Sequence, residues 1–121
     1  VLNYLGYARL ERGEQMDEAE ALIARASSLA PDDASITDSL GWAQFKRGKV
    51  QQAITTLQRA AAADPGQAEI HEHLGDALYT AGRKFEARFA WRAALVTAED
   101  DVKQRVEAKI DAGLNPRNAA P

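Results

Sequence analysis

Cysteine is absent from all 121 residues, so the chain has no disulfide framework, no thiolate metal site and no cysteine nucleophile. That absence does not fix the compartment. Histidine is nearly absent as well: only His71 and His73 occur, with Glu72 between them. Residues two apart on a helix do not share a face, so this pair cannot close on one metal, and the spacing is not that of a helical zinc peptidase. His71 lies one turn before Gly75 and is expected in the core. No histidine is placed to activate Ser27, Ser28, Ser35 or Ser39, and no glycine-rich phosphate loop is visible. The expectation is a non-enzyme with no catalytic residues, no metal and no cofactor.

Positive charge is also scarce. Fifteen Lys and Arg stand against 18 Asp and Glu, for a net charge of −3, which argues against nucleic acid as a partner because phosphate binding depends on a basic excess. No apolar run approaches the roughly 18–20 residues of a membrane span, and no export signal is visible. The chain opens at Val1 inside a helical pattern without an initiator Met, and reads as a piece of a longer protein.

What is present is a repeat. Gly41 and Gly75 are 34 residues apart, and the same step relates Ala53 to Ala87, Ala60 to Ala94 and Pro31 to Pro65. Aligned on glycine, three units read Leu5-Gly6-Tyr7-Ala8, Leu40-Gly41-Trp42-Ala43 and Leu74-Gly75-Asp76-Ala77. A second glycine follows each (Gly13, Gly48, Gly82), then a small residue inside a second apolar run (Ala19, Ala53, Ala87). A period of this size marks a small unit stacked several times. A glycine inside a helical pattern costs about 1 kcal/mol against alanine, so its recurrence implies a close helix approach. The second glycines suit the left-handed residue that ends a helix, and Asp32-Asp33 after Pro31 supplies a stop followed by a cap.

These residues, especially Leu40, Gly41, Ala53, Leu57, Ala60, Asp64 and Pro65, resemble the tetratricopeptide repeat, a helix-turn-helix unit. The resemblance implies an all-α, right-handed superhelical solenoid: three repeats over 1–98 (about 1–30, 31–64 and 65–98), a capping helix over 99–114 and a flexible tail over 115–121. Helices are predicted near 1–12, 15–29, 34–47, 50–63, 67–81, 84–97 and 101–112. The last would close the array with Val102, Val106 and Ile110, leaving Lys103, Gln104, Arg105, Glu107 and Lys109 on a solvated face. Some local wording, Asp38-Ser39-Leu40-Gly41-Trp42-Ala43 and Trp91-Arg92-Ala93-Ala94-Leu95, is similar to the C-terminal arrays of long proteobacterial proteins, some of them envelope adaptors.

In each first helix, residues at i, i+4 and i+7 face away from the glycine contact: Asn3, Tyr7, Leu10; Asp38, Trp42, Phe45; Glu72, Asp76, Tyr79. Stacking sets these faces along a concave wall, which in this family holds an extended peptide or a partner's helix. Aromatics among carboxylates, with Glu69 nearby, favour a protein or peptide partner that is partly cationic and partly apolar. Trp42 and Phe45 could equally fill the gap between first helices. The carboxylates exclude the subtype that grips a C-terminal carboxylate with Lys, Arg and Asn. A second candidate surface is the outward pair Phe85 and Phe89 beside the cations Lys84, Arg88 and Arg92, suited to an acidic partner, a bilayer surface or packing elsewhere; Trp91 falls in the core column of Ile23 and Leu57. The function expected is a protein-interaction scaffold. The alternative is an architectural segment that extends a solenoid or self-associates.

Overall fold

The computed structural model describes the backbone of residues 4–121 and the side chains from residue 14 onward. Among the described residues all regular structure is helical: α1 (Tyr4–Leu29), α2 (Ala34–Lys46), α3 (Val50–Ala63), α4 (Ala68–Thr80), α5 (Lys84–Leu95) and α6 (Asp100–Ala112). Helices pack on their sequence neighbours, and α2 also meets α4, as α4 meets α6. This is an all-α helical repeat solenoid.

The local signals behave as their chemistry requires. Asp33 caps α2 by accepting the Ile36 amide at 3.0 Å. Gly48 and Gly82 take φ of +81° and +85° just beyond α2 and α4, a conformation that side-chain-bearing residues rarely adopt. The chain then reverses and the next helix begins.

One construction is used twice. A Cβ on Gly41 would sit 2.7 Å from Leu57 Cγ, and a Cβ on Gly75 would collide with the Trp91 indole. In each pair the glycine opens a slot in a first helix, and the large residue 16 positions later fills it from the second. Around these slots Ala53, Ile54, Leu57, Ala77, Leu78, Ala87, Ala90, Trp91, Ala94 and Val106 form one continuous core. The alanines let the helices approach; each large side chain contributes roughly 1.5–3 kcal/mol of burial.

The first unit departs from this scheme. The helices predicted over 1–12 and 15–29 are one helix, α1, which runs straight through Gly13. Glu11, Arg12, Glu14 and Gln15 all favour helix, and a single glycine among them costs only about 1 kcal/mol. Without the fold-back, Ala19 is exposed while its counterparts Ala53 and Ala87 are fully buried. Met16, Leu22 and Leu29 are exposed with it. The helix is tied down through Glu20, which meets Lys49 at 2.8 Å and Arg47 at 3.0 Å, and through an Asp17–Arg47 pair.

Candidate functional site

Helices α2 and α4 lie side by side and present Asp38, Trp42 and Phe45 from one, Glu72, Asp76 and Tyr79 from the other. Asn3 lies outside the described residues, as do the side chains of Tyr7 and Leu10. On the α2 side the wall is aromatic and partly open. Trp42 stacks on Phe45 with centroids 4.9 Å apart and on His73 at 4.0 Å. His73 Nδ1 lies 2.8 Å from Asp38 Oδ1, and the Lys46 ammonium sits 5.1 Å from the Trp42 ring centre. Trp42 and Phe45 are therefore both inter-helix packing and half-exposed wall.

The α4 side is closed by α6. Glu72 accepts a two-pronged contact from Arg105 at 2.7 and 2.8 Å, and Lys109 Nζ reaches Glu72 at 2.6 Å and Asp76 at 2.8 and 3.0 Å. Lys109 is 0% exposed. Asp76 also accepts the Trp91 indole N–H at 3.0 Å. Burial pushes the Glu72 carboxyl up, but hydrogen bonds and charge from Arg105 and Lys109 outweigh it and hold the pKa below the usual glutamate value. For Asp76, burial dominates and raises the pKa despite Lys109 and the Ala120 amide. The Glu72 bond in turn raises the pKa of Arg105.

This corrects the solvated face predicted for α6. At 100° per residue, Arg105 and Lys109 flank the stripe of Val102 and Val106 rather than opposing it. Val106 seals the core while Lys109 enters the acidic wall beside it. The cations facing these carboxylates belong to the chain itself.

The segment after α6 is no loose tail. Gly113, at φ +82°, packs against the Tyr79 hydroxyl and turns the chain back. Asn118 donates from Nδ2 to the Gly113 carbonyl at 2.9 Å and accepts the Asn115 amide at 2.8 Å. The Ala120 amide then donates to Asp76 Oδ2 at 3.0 Å, and the Pro121 carbonyl accepts the Trp42 indole N–H at 2.8 Å. Asn118 is 6% exposed and Ala120 3%. The order of this segment comes from backbone groups satisfied by wall side chains.

On the opposite side, Phe85 and Phe89 are 75% and 62% exposed, with centroids 5.5 Å apart. They edge a cleft of about 370 Å³ with Ala61, Leu74, Leu78 and His71. The expected three-cation stripe is divided: Arg88 donates to the Ile110 carbonyl at 3.1 Å, Lys84 lies 5.3 Å over Tyr79, and Arg92 is exposed. His71 is not the core residue expected; it is half-buried at the cleft, 2.7 Å from the Pro65 carbonyl oxygen.

A tetratricopeptide repeat family model matches residues 39–101, which span both glycine slots and run from within α2 through α5. The chain belongs to the tetratricopeptide-repeat family. A TPR repeat-containing protein of Pseudomonas aeruginosa is 40% identical over 76 residues, covering 63% of this chain but only 13% of that relative. Tetratricopeptide repeats mediate protein–protein interaction, and no described helix is long and apolar enough to cross a membrane. Within this repeat fold, three wall features lay outside the sequence prediction: His73 behind Trp42, Lys109 between the carboxylates, and the seat of Ala120 and Pro121. The helical wheel carried a signal for Lys109. Nothing in the sequence pattern marked the other two.

Proposed function

We propose that this chain is a non-catalytic scaffold that holds a peptide or partner helix on its concave wall. Residues of about 31–64 and 65–98 serve as repeats, and 99–114 closes the array. The supporting observation is that the wall already carries such a ligand, supplied in cis. Helix α6 brings Lys109 and Arg105 beside Val102 and Val106, the partly cationic, partly apolar chemistry that Glu72 and Asp76 call for. An external partner would use the half-open stretch of Asp38, Trp42, Phe45 and His73.

Screening the whole chain against arrays of cationic amphipathic and extended peptides tests this reading. Trp42→Ala should weaken binding by about 2 kcal/mol, near 30-fold, with helix content unchanged. Binders indifferent to Trp42→Ala but lost in Phe85→Ser/Phe89→Ser would move the site to the outer cleft. The exposure of that phenylalanine pair favours the second reading, self-association. Under it, sedimentation would show a dimer that the double substitution dissolves.

A further inference from the structure

We propose that residues 115–121 form a displaceable strap over the peptide seat between Trp42 and Asp76, and that a partner peptide of the same chemistry takes their place. This rests on the concave wall being the binding face. Two different holds operate in the C-terminal segment. Helix α6 is locked by the fully buried Lys109 and by Val106 in the core. The strap has neither. It meets the wall through one donor, the Ala120 amide on Asp76, and one acceptor, the Pro121 carbonyl on Trp42. The apolar part it buries most deeply is one methyl group, that of Ala120. Asn118 ties its base to the Gly113 carbonyl at the end of α6, and the bonds between Asn115 and Asn118 are internal; neither set attaches it to the wall. Ordering each backbone residue is opposed by conformational entropy, so an attachment this slight leaves the strap open to displacement.

The same contacts define what can replace the strap. Asp76 and Trp42 read an amide N–H and the next residue's carbonyl, so they select backbone groups rather than a particular side chain. Specificity enters at Ala120, which at 3% exposure leaves space for a small side chain only. The ligand class is therefore a peptide with a small residue at that point, presented as the turn over residues 116–118 presents Ala120 here. Tethered directly after α6, the strap competes at an effective concentration in the millimolar range. A micromolar peptide therefore meets a largely occupied seat.

The probe is a labelled peptide with the sequence of residues 115–121, added to the whole chain and to its Ala120→Leu variant. Leucine cannot enter the small seat, so the strap should lift while α6 stays docked. The peptide should bind Ala120→Leu at least about tenfold more tightly than the parent. Trp42→Phe on that background, which keeps an aromatic ring but removes the indole N–H, should reduce binding several-fold. A probe with leucine as its sixth residue should not bind. Equal binding to parent and Ala120→Leu, or no saturable binding to a well-folded Ala120→Leu, would overturn the strap. Independently of any variant, the Ala120 amide of the parent should exchange more slowly with deuterium than in the free peptide; equal rates would overturn it too. A partner that maps to Trp42 and His73 and binds parent and Ala120→Leu alike would leave the concave site standing and remove the strap. One that maps away from Trp42 would remove both.

Discussion

Gly75 and Trp91 show how a single hydrogen atom in place of a side chain can organise a repeat. The Trp91 indole occupies the space a Cβ would need, and its N–H is committed to Asp76. Gly75→Ala should therefore lose about 2 kcal/mol or more in urea melts, although alanine is the better helix former by about 1 kcal/mol. Gly41→Ala should lose less, about 1 kcal/mol, because the branched Leu57 side chain can shift where the indole cannot. Gly75→Ala matching the parent would remove the slot as the organising contact. These glycines were legible because their cost repeats at a fixed period. His73 was not. Its stacking on Trp42 and its bond to Asp38, 35 residues away, are tertiary events with no local pattern.

At the scale of elements, α2 to α6 were legible within two residues at each end, because caps, left-handed glycines and apolar spacing all agreed. The exception is α1, where the turn expected at Gly13 had only its glycine to define it and strong helix formers on both sides. Helix α6 was placed correctly but its charged residues were assigned to the wrong face, since Arg105 and Lys109 lie beside the valines. That placement makes α6 docking acid-sensitive. In the folded chain Arg105 and Lys109 hold the Glu72 carboxyl below the ordinary glutamate pKa of about 4.5, despite its burial. Its stabilisation is thus complete above about pH 4.5 and is lost as pH falls through the lowered folded value. Asp76 acts with the opposite sign: its raised folded pKa makes the ionised form a cost, which acid relieves. Of the two buried wall carboxylates, Glu72 should therefore carry the acid loss. Urea midpoints at neutral pH and at about pH 3.5 should fall steeply for the parent and much less for Glu72→Gln, which begins lower at neutral pH because Arg105 and Lys109 lose an anion. Parallel slopes would show that this ion cluster does not govern α6.

At the largest scale, the described residues form a repeat array whose acidic, aromatic wall is met by the segment that follows the repeats: a cationic helix over Glu72 and Asp76, then a turn that brings Ala120 to Asp76 and Pro121 to Trp42. The i, i+4 and i+7 columns of α2 and α4 marked six side chains that the fold brings side by side, and the helical wheel carried a signal for Lys109 beside them. The seat of Ala120 and Pro121 was not legible, because contact through a backbone amide, a backbone carbonyl and one methyl group leaves no pattern in side chains. The absence of cysteine allows a direct test of this arrangement. A spin label on Ala119→Cys, an exposed position beside the seated Ala120, should selectively broaden the NMR signals of the Trp42 indole and the His73 ring. Those of Phe85 and Phe89, on the opposite face, should be spared. Broadening at Phe85 and Phe89, or none at Trp42, would contradict a wall occupied by the segment that follows α6.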